Sequence, residues 1–328
     1  MAKQILKRLG IGVFILFVFS LILFALMRLQ PDDFVQQRWG ALAMQNGMGD
    51  EFLDEIRRMI GLYGPFFQGY FRWLGNMLRG DMGYSLLEMG RPVTQVITEH
   101  MWLSFIMSLI ALIISVSIAI PMGIFAATKQ YSKFDYTTTA LVMMGISLPA
   151  FFFAGLLIYI FAVQLGWFNP ALGFGDAHMA GVSNASRFFI RAWHLVLPIT
   201  VMVVLSIGGL MRYTRTNTLE VLRSDFIRTA RAKGLSEGAV IYKHAFKNTA
   251  VPLATMMAGI LPGLFVGSMI IEQIFGLPGV GQLGFRALQS GDIPLVMGYN
   301  MFIATLAVLG ILLSDIMYVI VDPRIRMN

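Results

Sequence analysis

Cysteine is absent from this chain of 328 residues. Disulfides, thiolate nucleophiles and cysteine metal sites are therefore excluded, and the compartment stays open. Charge is scarce: 13% of residues are Asp, Glu, Lys or Arg, roughly half the ~25% of a soluble domain. No G-x-x-x-x-G-K-[ST] phosphate loop occurs, so nucleotide must bind another chain. His100, His178, His194 and His244 show no H-E-x-x-H or other ligand spacing, and no Ser–His arrangement marks a hydrolase. Basic runs interleaved with aromatics, of the kind that hold nucleic acid, are missing.

Apolar residues are abundant instead, at 57% of the chain with a mean hydropathy of +0.70. So much apolar surface needs lipid around it. Six spans are expected: Leu9 to Met27, Met101 to Thr128, Thr137 to Leu165, Leu195 to Met211, Pro252 to Ile271, and Leu295 to Val321. Each is near the ~20 residues that cross ~30 Å of hydrocarbon. Backbone groups in lipid must be satisfied internally, so helices are the economical reading. A cleaved leader competes for the first span, since Lys3, Lys7 and Arg8 form a basic start. The apolar run exceeds the ~7–15 residues of a leader core and no small-x-small site follows Arg28, which favours a retained helix.

The net charge of +7 fits basic cytoplasmic loops. With the N-terminus inside, segments 1–8, 129–136, 212–251 and 322–328 are cytoplasmic, and they hold all seven lysines. They also hold eight arginines; of the ten outside, including Arg28, most lie in the long 30–99 segment, and long loops cross largely regardless of charge. The expectation is an all-α polytopic membrane protein of six helices with both termini inside. Its parts are a first helix within 1–29, a small external helical subdomain at 30–99, a core at 100–321 and a short tail at 322–328. In the subdomain, Phe52, Ile56 and Met59 form one helical stripe, and Phe66, Tyr70, Trp73, Leu74 and Met77 another. Either a packed cap or a contact surface would use them.

The polar, basic stretch from Ser224 to Pro252, within a cytoplasmic loop 216–251, is more than a turn requires. Ser224 is expected to cap a helix Asp225–Lys233 by accepting from an orphan amide. Asp225 sits at its positive end, and Arg231 and Lys233 at its negative end. Gly234 fits a left-handed position after that helix. Ser236 can cap a second helix, Glu237 to about Thr249, before Pro252 opens the fifth span. Ala230 and Ala232 are small enough for another backbone to approach, and Phe226, Ile227 and Leu235 offer apolar anchors. An ordinary cytoplasmic hairpin would show the same features.

The run RTARAKG, Arg228 to Gly234, resembles the EAA loop of ABC importer permeases, with Arg228, Thr229 and Ala230 where the general pattern has Glu-Ala-Ala. The departure is what the peptide-transporter branch looks like. GDMGYSL at 80–86, EQIFGLPGVGQLGFRAL at 272–288, DIPLVMG at 292–298 and DPRIR at 322–326 extend the resemblance over the whole chain. The chain is similar to the B-type permease of dipeptide and oligopeptide importers. That resemblance implies a type I importer permease fold in a prokaryotic plasma (inner) membrane. It implies that Asp225 to Leu235 form a coupling helix received in a groove of an ATPase subunit. The implied partners are a second homologous permease, two ATPase subunits holding ATP and Mg, and an extracytoplasmic solute-binding protein. No cofactor is expected on this chain. Similar permeases carry nickel, opines or oligosaccharides, so peptide is an expectation rather than a reading of residues.

Four charged residues remain. Asp315 lies within the sixth span, where an unpaired carboxylate is costly. Arg212 and Arg215, ending the fourth span, are its expected partners. Glu272 stands at the outer end of the fifth span, where solvation would suffice. An ion-coupled secondary transporter is the rival class, but it would show inverted repeats and more intramembrane charges than Asp315 alone.

Overall fold

Apolar runs too long to leave in water become long helices, and three of the six expected spans do so with little adjustment. The computed structural model describes residues 2–29, 34–45, 49–59, 64–88, 90–169, 173–174 and 183–321. The tail with the 322–326 motif lies outside the described residues. Helix α1 is Ala2–Arg28, followed by the short helices α2 (Phe34–Gln45), α3 (Gly49–Met59) and α4 (Phe66–Leu78). A small hairpin pairs β1 (Tyr84–Ser85) with β2 (Arg91–Pro92). Long helices α5 (Val93–Thr128), α8 (Asn184–Leu222) and α14 (Ile293–Val321) form the frame. Between them lie α6 (Lys133–Ser147), α7 (Ala150–Leu157) with a π-helical continuation Ile158–Gln164, α9 (Asp225–Ala232) and α10 (Glu237–Ala239). Then come α11 (Phe246–Ile260), α12 (Met269–Phe275) and α13 (Val280–Ser290). Among the described residues, four helices are long and apolar enough to cross a membrane, or up to six spans if each of two bent pairs counts as one.

The other three spans differ from expectation for local reasons. The third is broken: α6 and the α7 segment meet at 101°. Proline disfavours helical backbone in the residue before it, and Leu148, preceding Pro149, is extended at ψ 127°. The fourth is far longer than Leu195–Met211, because the polar turns on either side remain helical to give 39 residues. The fifth starts early and stops early. Helix α11 runs straight through Pro252, tightens into a 3-10 turn at Leu261–Phe265, and ends where Gly267 takes φ +72°. Segments Leu261–Phe275 and Val280–Ser290 then lie at 71° to each other.

Packing fixes the ends of the bundle. Leu23 and Phe24 of α1, Tyr70 of α4, and Ile293, Met297 and Met301 of α14 share one core, which also buries Val35, Ala43 and Leu53. The Tyr70 ring meets Phe24 edge-on at 5.7 Å, and its hydroxyl lies 2.8 Å from Ser20 Oγ. Val93, Val96 and Ile97 at the start of α5 pack with Leu295 at the start of α14. Helix α8 runs parallel to α5: Met107 packs with Leu195 and Leu197, and Gly123 faces Met211 and Thr214. Arg8 near the start of α1 pairs with Asp315 near the end of α14. One end of the bundle therefore carries the hairpin, and the opposite end carries the α5–α6 turn, α9 and α10.

Asp292 clamps the first of these ends. It is fully buried, caps α14 by accepting from the Leu295 amide at 3.1 Å, and accepts from Ser85 Oγ at 2.6 Å and the Leu87 amide at 2.8 Å. Two of the family-like motifs are thus brought into contact by one carboxylate. Asp292→Ala strips three donors of their acceptor, two of them in buried contacts, and the expected loss is on the order of 3 kcal/mol. Asp292→Asn, which keeps one carbonyl oxygen, should lose less. Thermal unfolding of the detergent-solubilised protein measures both, and an unshifted midpoint for Asp292→Ala would contradict the clamp.

Candidate functional site

The segment between α8 and α11 is a built hairpin. Helix α9 is strongly two-faced: Ile227 is fully buried and Ala230 nearly so, packed with Val240 and Ala245 and covered by Val221 and Leu222 at the end of α8. Asp225, Phe226, Arg228, Thr229, Arg231, Ala232 and Leu235 are exposed. The side chains of Asp225 and Arg228 are 96% and 78% exposed and lie 3.5 Å apart. Exposed pairs of this kind contribute about 0–1 kcal/mol, so these charges are held outward rather than used for folding. The expectation that Ala230 and Ile227 meet a partner is corrected: at three-residue spacing both fall on the inner stripe. Thr229 and Ala232 lie opposite that stripe.

The helix ends are firmly made. Ser224 does not accept an orphan amide as expected; its Oγ donates to the Val221 carbonyl at 2.5 Å, tying α9 to the last turn of α8. At the other end the Gly234 amide donates to the Arg231 carbonyl at 2.9 Å and the Leu235 amide to the Ala230 carbonyl at 3.4 Å. This double closure is the Schellman pattern, and Gly234 takes the left-handed φ of +77° that it requires. Ser236 Oγ accepts from the Ala239 amide, capping α10 as expected. Arg231 Nε donates to Glu237 Oε1 at 2.8 Å, joining the two limbs. The second limb is not a helix ending before Pro252. Helix α10 passes through a π-helical turn, Val240–Ala245, directly into α11.

The remaining charged candidates have other partners than expected. Asp315 pairs with Arg8, not with Arg212 or Arg215, because α1 and α14 run antiparallel side by side. Arg215 instead forks onto Asp135, with Nε to Oδ1 at 2.7 Å and Nη2 to Oδ2 at 2.8 Å. Arg212 is exposed. Glu272 is not solvated: it is 1% exposed and accepts from Ser104 Oγ at 2.7 Å and from the amides of Ser268 and Gln282 at 3.1 and 2.9 Å. A Cβ added at Gly267 or Gly279 would collide with the Glu272 carboxylate. Asp135 and Asp292 are site residues that sequence reasoning missed. Their signals were Ser132-x-x-Asp135, a capping pattern, and an aspartate immediately before the sixth span. Nothing local marks Ser104, whose role depends on a residue 168 positions away.

Comparisons with known proteins bear on the same segments. Residues 119–327 match the family model described as "Binding-protein-dependent transport system inner membrane component", and residues 1–117 match its N-terminal companion. The oligopeptide transport system permease protein AppB of Bacillus subtilis is 36% identical over 326 residues, 99% of this chain and 100% of that protein. OppB of Haemophilus influenzae, likewise an oligopeptide permease, is 33% identical over 326 residues with the same coverage. A putative peptide transport system permease protein of Brucella abortus is 36% identical, over 99% of each chain. Among solved structures, the inward-facing MetNI methionine ABC transporter superposes with a TM-score of 0.52 at 17% identity, covering 71% of this chain and 100% of that one. At that identity the likeness speaks for the fold. The chain is a multi-pass permease of the family of binding-protein-dependent transport system inner membrane components.

Proposed function

We propose that this permease carries peptides, and that α9 is the helix through which ATPase subunits drive it. The peptide assignment follows the similarity to oligopeptide permeases of Bacillus subtilis and Haemophilus influenzae. A second homologous permease encloses the path, two ATPase subunits bind ATP and Mg on the cytoplasmic side, and a solute-binding protein delivers substrate from outside. This chain performs no hydrolysis itself. An apolar groove of about 760 Å³ along α5 and α8, lined by Ile106, Ile110, Ile114, Leu195 and Val196, is open along one side. A concavity lacking one wall suits a path completed by a second subunit.

The observation that carries the coupling reading is the outward face of α9. A helix of eight residues is too short to persist alone. Here it is pinned by Ile227, Ser224, the Arg231–Glu237 pair and the Gly234 closure, yet Phe226, Arg228 and Ala232 stay exposed on its outer side. Both termini and the α9 end lie in the cytoplasm in this reading, and segment 34–92 lies outside. Lys7, Lys129, Lys133, Lys233, Lys243 and Lys247 all fall on elements gathered at the α9 end. A membrane-impermeant amine label applied to sealed right-side-out vesicles should therefore modify no lysine. Labelling of Lys133 or Lys243 from outside would reverse the orientation.

Gly234→Val tests the coupling itself. A Cβ at Gly234 meets nothing within 4 Å, so the cost is the left-handed backbone penalty of about 1–2 kcal/mol. The variant should insert normally yet hydrolyse ATP with little uptake. With no native cysteine, Thr229→Cys or Ala232→Cys can be paired with a cysteine in the ATPase groove. Either pair should crosslink to that subunit and not to the binding protein. If neither crosslinks and Gly234→Val transports normally, α9 is only a hairpin. Mass spectrometry of the ligand held by the partner binding protein tests the peptide assignment separately.

A further inference from the structure

An ion pair built on a buried carboxylate closes the base of the three-helix block from which α9 hangs. Asp135 is 3% exposed and receives both arms of the Arg215 fork. Its Oδ2 also accepts the Tyr131 amide at 3.0 Å. Tyr131 is the sole non-glycine among the described residues with positive φ, at +63°, a conformation that a bulky side chain rarely adopts. One carboxylate therefore fixes the α5–α6 turn and the end of α8 together. Arg215 lies about two and a half turns before Ser224 on an unbroken helix.

Contacts run from α9 to this pair and beyond it. Ile227 and Ala230 press on Val221 and Leu222 of α8. Above the pair, a Cβ at Gly123 of α5 would stand 2.8 Å from both the Met211 carbonyl oxygen and Thr214 Cβ. A Cβ at Gly208 of α8 would strike Ile146 of α6. Both contacts are tight: α5 meets α8 at Gly123, and the Ile146 side chain of α6 fills the space over Gly208.

Static packing alone does not call for an ion pair here. Replacing a buried pair by apolar groups of similar volume is often neutral or stabilising. What a two-armed guanidinium–carboxylate link adds is fixed direction and register. We propose that Asp135 and Arg215 are positioning residues of the transport cycle: they lock the α5–α6 turn to α8, so that displacement of α9 moves all three helices as one body. This rests on the docking role proposed for α9.

The test uses the whole transporter in proteoliposomes and needs no knowledge of the substrate. Tyr136, on α6 just past the pair, is 64% exposed. Tyr136→Cys can be alkylated as the only thiol in this permease. In the parent its alkylation rate should change when a non-hydrolysable ATP analogue binds the ATPase subunits. Asp135→Asn should abolish that change. Arg215→Lys, which keeps the charge but loses the fork, should retain part of it. Arg212→Gln, removing an exposed charge three residues away, should retain all of it. A nucleotide effect that survives intact in Asp135→Asn, or that is absent from the parent, overturns the proposal. If Asp135→Asn fails to insert, an undiminished effect in Arg215→Lys overturns it equally. The Ala232→Cys crosslink separates the two readings. Its absence with the ion pair intact removes the docking role, whereas its presence beside an unaltered nucleotide effect removes only the role of the pair.

Discussion

The space of a single hydrogen atom at Gly123 sets the distance between α5 and α8. The carbonyl of Met211 and the side chain of Thr214 occupy the place where any larger residue would begin. Lipid gives little reason for two apolar helices to prefer each other, so close approach of small residues is a main source of association. Once α5 and α8 lie in contact over most of their length, the positions of α6, α9 and the groove along Leu195 and Val196 follow. Gly208 of α8 in turn receives the Ile146 side chain of α6, so α8 meets two neighbours at two glycines, one on α5 and one its own.

Buried carboxylates supply what close packing lacks, which is specificity of register. Asp135, Glu272 and Asp292 are each at most 3% exposed, and each gathers donors from segments far apart in sequence. In a low-dielectric interior such groups are costly unless fully partnered and strong when they are. That makes them poor at tolerating a shifted helix. Asp292 joins the β-hairpin to α14, Glu272 joins the turn around Gly279 to Ser104 of α5, and Asp135 joins the α5–α6 turn to α8. The three lie near helix ends, where orphan amides are available and where a small rotation would be amplified along a long helix.

Much of this was legible in the sequence, and the rest was not for definite reasons. Uninterrupted apolar runs located α1, α5 and α14, because length and hydropathy are local properties. Gly234 and Ser236 announced their turns, because a left-handed backbone and a helix cap depend on neighbouring residues. The expected fourth span is shorter than α8 because His194 and Pro198 at its start and Arg212 and Arg215 at its end interrupt the apolar run without breaking the helix. Pro149 lies inside the expected third span and does not by itself announce the break, because a proline inside a span can kink it slightly or stop it, and neighbours decide which. Partner choice was invisible. Asp315 lies near the inner ends of both α1 and α8 by linear reasoning, and only the antiparallel contact of α1 with α14 selects Arg8. The inward turn of Ile227 and Ala230 was available from helical spacing, once it was known which side the hairpin covered.

The way the hairpin joins the spans bears on how force would pass through it. A docking loop on flexible tethers could bind a partner and transmit nothing. Here neither tether is flexible. Only Arg223 and Ser224 separate α8 from α9, and the Ser224 hydroxyl and amide both bond to the Val221 carbonyl. On the other side α10 passes without a loop into a π-helical turn and then α11, through Pro252 to Ile260. Displacement of α9 therefore has two stiff outlets, one into α8 and the block around Asp135, the other into α11. That second outlet is interrupted at Leu261–Phe265, where the hydrogen-bonding pattern tightens, and at Gly267, where the chain turns. The first is continuous for the full 39 residues of α8. Within α8 one backbone hydrogen bond is missing, at Pro198, so α8 carries a push from the hairpin most stiffly as far as that proline, while α11, which meets Pro252 within its first two turns and then the 3-10 turn, bends sooner.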